Sequence, residues 1–89
     1  LVANNAGWEA VRRSTTAMYP KGKAARANRM PVTRFDPAPD HAAVMRAAGG
    51  WAERVEDGAD LPAALARAIE VVRVEKRQAL LDINILFDA

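Results

Sequence analysis

The sequence predicts an α/β fold in which strands and helices alternate in the order strand, helix, long loop, helix, strand, helix, strand. Three observations support it. An apolar run at residues 1–3 leads into a turn, residues 51–56 alternate as in a half-buried strand, and residues 79–87 are almost continuously apolar. Because the last run is typical of a strand covered on both faces, and helical segments connect the strands, we expect a parallel sheet with right-handed crossovers.

The first strand ends in a pair of asparagines, Asn4 and Asn5, followed by the small residues Ala6 and Gly7. Amide and main-chain carbonyl oxygens are hard ligands of the kind that Mg²⁺ or Ca²⁺ requires. A helix is predicted over about residues 7–18, and the free N–H groups at a helix start suit a phosphate. Asparagine and glycine also make ordinary turns. The residues alone therefore leave a ligand site and a plain turn open.

In the first predicted helix, Trp8, Val11, Thr15 and Met18 recur at helical spacing and form one face. We expect Met18 to lie in the core, whereas Trp8 and Val11 fit either a core or a pocket wall. Residues 20–39 show no apolar period, so the sequence predicts a long loop there, either disordered or with one helical turn at 24–28.

Asp40 is the predicted N-cap of a short helix that ends at Gly49. Its expected apolar side comprises Val44, Met45 and Ala48. The single histidine, His41, has no neighbouring cysteine, serine or second histidine, so a zinc site or a catalytic triad is not expected there.

The helix predicted after Asp60 has the clearest helical period in the chain, with a proline near its start and basic residues at its end. We expect its apolar stripe to face the core. The stripe comprises Leu61, Leu65, Ala68, Ile69 and Val72.

Composition limits the function classes. The chain has 89 residues, enough for at most one small domain, and a net charge of +2 that is divided unevenly, with +6 in residues 1–35 and −4 in residues 36–89. The basic half suits an anionic cofactor, a salt-paired protein surface or nucleic acid. Nucleic acid is the least favoured, because only Tyr19 and Phe35 flank the basic segment and no aromatic residue lies within it for base stacking.

The sequence contains no cysteine, which excludes disulfides and thiolate metal sites and makes a reducing cytoplasm the default location. No apolar run approaches the roughly 18–20 residues that a membrane span needs, so we expect no membrane partner.

The segment from Asn4 to Arg12 resembles the closing half of the thiamine diphosphate motif, which begins with Gly-Asp-Gly and ends in Asn-Asn. The similarity extends through residues 36–40, 49–51 and 79–83. More narrowly, the chain resembles the C-terminal end of the acetolactate synthase, benzoylformate decarboxylase and benzaldehyde lyase group. This resemblance implies that residues 1–89 form a single partial domain, the C-terminal portion of a parallel-sheet thiamine diphosphate-binding (PP) domain.

The resemblance also implies a site. Asn5 and the main-chain carbonyl of Gly7 would bind Mg²⁺, Asn4 would be a supporting amide, and Trp8 and Val11 would line the cofactor pocket. No residue is assigned a catalytic role. The Gly-Asp-Gly half and the pyrimidine-binding domain with its activating glutamate do not occur in the sequence. We therefore expect the 89-residue chain alone to be inactive and not to bind thiamine diphosphate and Mg²⁺ by itself.

The implied parent is a lyase or transferase that uses thiamine diphosphate and Mg²⁺ on 2-oxo acids, by acetolactate synthase-like decarboxylation and carboligation. Its expected partners are the remainder of the enzyme and a second copy, in a dimer or tetramer. The alternative is a non-catalytic interaction or regulatory α/β module, because a fold by itself does not specify a function. The substrate stays open.

Overall fold

The computed structural model describes residues 1–27 and 32–85, which divide into two compact units. The first unit contains residues 1–4 and 40–85, and the second contains the described part of residues 5–39. The elements, in chain order within each class, are β1 (Val2–Asn4), β2 (Trp51–Val55), β3 (Ala79–Asn84), α1 (Glu9–Met18), α2 (Lys23–Ala27), α3 (His41–Ala47) and α4 (Leu61–Glu70).

The first unit is built on a three-stranded parallel sheet in the order β1-β3-β2. The central strand, β3, is thus the last of the described strands in chain order, and it is paired along both edges. This confirms the predicted α/β fold with parallel strands. The strand predicted over 79–87 ends at Asn84, and residues 86–87 lie outside the described part of the chain.

Helices cover both faces of this sheet. On one face, α4 packs against β2 and β3, and on the other face α3 packs against the same two strands. Alternate residues of β3 point to opposite faces, so Leu81 joins the core beneath α4 while Asp82 faces the α3 side. The core cluster consists of Val55, Ala64, Ala68 and Leu81.

The apolar face of α4 differs from the prediction. The buried residues are Ala64, Ala68 and, in the π-helical turn Val71–Glu75 that follows, Val71, whereas Leu65, Ile69 and Val72 are between 39% and 50% exposed. The prediction was right for Ala68 and for the half-buried Leu61. Two rows of apolar side chains run along α4. The row with the small alanines faces the sheet, because small side chains permit the helix to lie closer to the strands.

The N-cap of α3 is confirmed, because the Asp40 carboxylate accepts a hydrogen bond from the Ala43 N–H at 3.0 Å. The predicted apolar side is wrong for Val44, which is 69% exposed, and for Ala48, while Met45 is half-buried. Ala42 is the buried residue instead. The helix α3 packs closely against β2 and β3, and a small side chain fits between this helix and the sheet.

In the second unit, α1 ends at Met18 as predicted, but the core position expected for Met18 is wrong, since this side chain is 74% exposed. None of the ten residues of α1 is buried, and its half-buried side chains include Glu9 and Arg12. Glu9 and Arg12 form an ion pair of 3.6 Å, and this pairing lowers the cost of partly burying their two charged side chains. Within the predicted loop, α2 occupies the position expected for a helical turn.

Among residues 1–27 and 32–85, no helix has both the length and the apolar composition that crossing a membrane requires.

Candidate functional site

The turn between β1 and α1 is closed by a hydrogen bond to the side chain of Asn5. The Asn5 amide oxygen accepts a hydrogen bond from the Gly7 N–H at 3.3 Å, which is the geometry of an Asx turn. Between them, Ala6 has a left-handed backbone with φ 59°. Asn5 and Gly7, the two predicted metal ligands, are therefore held on one tight turn of the second unit.

An isolated antiparallel bridge fixes the same turn against a later segment, with Gly7 opposite Arg34. The Trp8 N–H donates to the Thr33 carbonyl at 2.6 Å, and the Phe35 N–H donates to the Ala6 carbonyl at 2.7 Å. These two bonds flank Gly7. In such a pair the main-chain groups of the central residue point away from the opposite segment, so the Gly7 carbonyl oxygen is not used by the bridge.

The predicted pocket residues Trp8 and Val11 lie on the surface of the second unit, Trp8 being 59% exposed. The Trp8 ring contacts Phe35 edge to face, with centroids 5.5 Å apart. Phe35 was not selected from the sequence as a site residue. No local signal marks it, because the contact depends on the bridge between segments distant in the sequence.

Glu9 is the first residue of α1, and its carboxylate lies close to two positively charged side chains. Its carboxylate lies 3.6 Å from the Arg12 guanidinium, and it accepts a hydrogen bond from Arg13 Nε at 3.1 Å. An acidic residue in the first helical turn is also favoured by the helix dipole. The three side chains thus hold the start of α1 in a fixed arrangement directly after the turn.

Asn4 belongs to the first unit, where it is buried at the end of β1. Its side-chain amide donates to Asp82 Oδ1 at 3.0 Å, and its carbonyl accepts from the Ile85 N–H at 2.9 Å. Asp82, which is 1% exposed, also accepts from the His41 N–H at 3.2 Å. The structure therefore gives the predicted supporting amide a buried carboxylate as its partner.

The oxygens of Asn5 and Gly7 fit Mg²⁺ as part of a site. Both are of the hard type that Mg²⁺ binds, and the Asn5 oxygen keeps a second lone pair after it accepts the Gly7 N–H. The described residues contain no group of three or more histidine, cysteine, aspartate or glutamate side chains that could hold a metal. Further ligands, such as phosphate oxygens, are needed to complete an octahedral site.

These features define an α/β protein with a parallel sheet and an oxygen-rich turn after its first strand. The sequence matches the family model described as thiamine pyrophosphate enzyme, C-terminal TPP binding domain, over residues 1–83. The chain belongs to this family, which confirms the resemblance to thiamine diphosphate enzymes and gives thiamine diphosphate as the cofactor of its domain type. Searches for similar curated proteins and for similar solved structures returned no match.

Proposed function

We propose that the chain is the C-terminal part of the diphosphate-binding domain of a thiamine diphosphate- and Mg²⁺-dependent enzyme. The observation that supports this most directly is the turn from Asn5 to Gly7, which lies inside the family match and is closed by the hydrogen bond from the Gly7 N–H to the Asn5 amide oxygen. We further propose that the enzyme acts on 2-oxo acids, by acetolactate synthase-like decarboxylation and carboligation.

In this proposal Asn5 Oδ1 and the Gly7 carbonyl hold the Mg²⁺ that accompanies the diphosphate. The start of α1 follows directly, and its N–H groups and dipole favour negative charge. Asn4 supports the turn from the end of β1, and the exposed side chains of Trp8 and Val11 exclude water from the cofactor.

These residues bind and orient, and none of them is assigned a proton transfer. When bound, thiamine diphosphate supplies the electron sink for breaking the bond beside a 2-oxo group. Catalytic groups would come from the remainder of the enzyme, so the isolated chain is predicted to be inactive. A homo-oligomeric enzyme, dimer or tetramer, and a cytoplasmic location stay predictions.

The test is calorimetric titration with thiamine diphosphate and Mg²⁺ of the chain extended by the sequence that precedes it in its reading frame. The extension should contain Gly-Asp-Gly. We expect binding that is weakened at least about tenfold by Asn5→Ala, which removes a metal ligand and opens the Asx turn.

The control is Gln78→Ala, because Gln78 is an exposed amide residue just before the amino end of β3, at the opposite end of the sheet from Asn4. It should leave the affinity unchanged. Equal affinities for the Asn5 and Gln78 variants, or no binding by the extended protein, would refute the proposed cofactor role and favour a non-catalytic module.

A further inference from the structure

Asp82 connects the two points at which the chain leaves and re-enters the first unit. The chain leaves after Asn4 and returns at Asp40. Asp82 Oδ1 accepts from the Asn4 side-chain amide at 3.0 Å, and Asp82 Oδ2 accepts from the His41 N–H at 3.2 Å. We propose that Asp82 is a positioning residue that clamps both ends of residues 5–39, the segment that carries the metal-binding turn.

The position of Asp82 suits a clamp. It lies in the central strand β3, where it is in register with Val2 of β1 and Arg54 of β2, so its backbone is paired on both sides. Its side chain is 1% exposed, and hydrogen bonds to a charged group are strong in such a water-poor environment. Both donors are thus held by the most constrained strand of the unit.

The residue type follows from the number of donors. One side-chain N–H and one main-chain N–H approach different oxygens of the same group, Oδ1 and Oδ2, so both atoms must be acceptors. A carboxylate offers two acceptor oxygens, whereas an amide of the same shape offers one acceptor and one donor. Aspartate therefore satisfies both ends, and asparagine satisfies only one.

The clamp acts by limiting conformational freedom. Holding the ends of a chain segment close together reduces the entropy that the segment gains when its internal hydrogen bonds open. Both bonds lie within the first unit, so they persist while the segment opens, and they favour its closed form. That the clamped segment carries a metal site rests on the proposed function, whereas the clamp itself does not.

The first pair of variants exchanges the two side chains. Asp82→Asn leaves one of the two donors facing an amide N–H. In the double variant Asn4→Asp with Asp82→Asn, the new amide donates to the new carboxylate at the end of β1 and accepts from the His41 N–H. The double variant therefore restores both hydrogen bonds, with the charge moved to the neighbouring strand.

The second pair changes one end only. His41→Pro removes the N–H that Asp82 accepts, at the first position of α3, where proline fits a helix start. His41→Ala keeps this N–H and serves as the matched control. This pair decides the question even if Asp82→Asn does not fold.

The measurement is amide hydrogen exchange of the full chain by NMR, without cofactor. In Asp82→Asn and His41→Pro, we expect the Trp8 and Phe35 N–H groups to exchange roughly threefold faster, because releasing one end of the segment raises the entropy of its open form by an amount comparable to doubling the length of a loop. Strands β2 and β3 should keep their wild-type rates. The double variant and His41→Ala should exchange as the wild type does.

Unchanged exchange at Trp8 and Phe35 would overturn the clamp. Equal acceleration in both units would also overturn it, because Asp82 would then support overall stability only. If the amides of the double variant exchange as fast as those of Asp82→Asn, the hydrogen bond between residues 4 and 82 is not what holds the segment. If the extended wild-type protein did not bind thiamine diphosphate, the proposed function would be refuted, but the hydrogen-exchange evidence for the clamp would be unaffected.

Discussion

The ring of Phe35 meets the ring of Trp8 edge to face, with a centroid distance of 5.5 Å and an angle of 84° between the planes. This contact joins the residue that follows the Asn5–Gly7 turn to a segment far along the chain. It lies beside the two hydrogen bonds that Trp8 and Phe35 make across the same bridge. Aromatic packing and main-chain pairing therefore hold the turn together.

Phe35→Ala should destabilise the second unit by about 1–2 kcal/mol, since it removes apolar contact area and an aromatic pair worth roughly 0.5–1.5 kcal/mol. The measurement is urea unfolding followed by Trp8 fluorescence, in a Trp51→Phe background so that a single tryptophan reports. Phe35→Leu keeps the apolar bulk and should lose less. Identical midpoints for all three proteins would show that the ring contact contributes nothing.

Lys76→Gly should stabilise the chain by about 0.5–1 kcal/mol. Lys76 ends the helical segment with φ 56°, a left-handed conformation that glycine adopts without the steric cost of a Cβ atom. Thermal unfolding by circular dichroism measures the gain. The control is Lys76→Ala, which removes the charge but keeps the Cβ atom and should give no gain. If Lys76→Ala raised the melting temperature as much as Lys76→Gly, the gain would come from removing the charge and not from the backbone conformation.

The sequence predicted the elements of the sheet unit well, because strand and helix periods are local signals. The alternation at residues 51–56 and the apolar run from residue 79 correspond to β2 and β3. Glycine and aspartate also marked the ends of α3, where Gly49 has φ 88° and Asp40 accepts the capping hydrogen bond.

Periodicity was less successful in choosing which apolar face is buried. On α4 the lines through Ala64 and through Leu65 both have helical spacing, and only the sheet decides between them. The candidate site shows the same limit. The Asn5–Gly7 turn was visible as a local pattern, whereas the partners Phe35 of Trp8 and Asp82 of Asn4 depend on contacts between distant segments.

Glu53→Gln should lower thermal stability at pH 7 by a few degrees at most, and this difference should disappear in acid. The Arg67 guanidinium donates two hydrogen bonds to the Glu53 carboxylate, one of them 2.9 Å long, and these bonds lower the pKa of Glu53 against the opposing effect of desolvation. The pKa of Arg67 is raised by the same bonds, so Arg67 stays charged throughout.

The direction of the pH effect follows from the lowered pKa of Glu53. Its stabilising contribution is fully present above the ordinary glutamate pKa of about 4.3 and is lost as the pH falls through the lower folded-state pKa. Melting curves of wild type and Glu53→Gln from pH 7 to pH 3 measure this. Glu56→Gln, at a looser exposed pair of 3.9 Å with Arg54, is the control. A constant difference between wild type and Glu53→Gln at every pH would contradict the assignment.

Leu81→Ala and Leu65→Ala test which face of α4 is covered. Leu81 is buried in the central strand beneath Ala64 and Ala68, so its truncation should leave a cavity and cost about 2–5 kcal/mol of unfolding free energy. Leu65 has the same side chain but is 39% exposed, so the same truncation should cost under about 1 kcal/mol. Urea unfolding followed by circular dichroism gives both values. The truncation is identical, so most of the difference between the two costs comes from burial and packing, and the helix preference of alanine lowers the cost at Leu65 a little further. A cost at Leu65 equal to that at Leu81 would mean that the predicted stripe, rather than the row of alanines, faces a core.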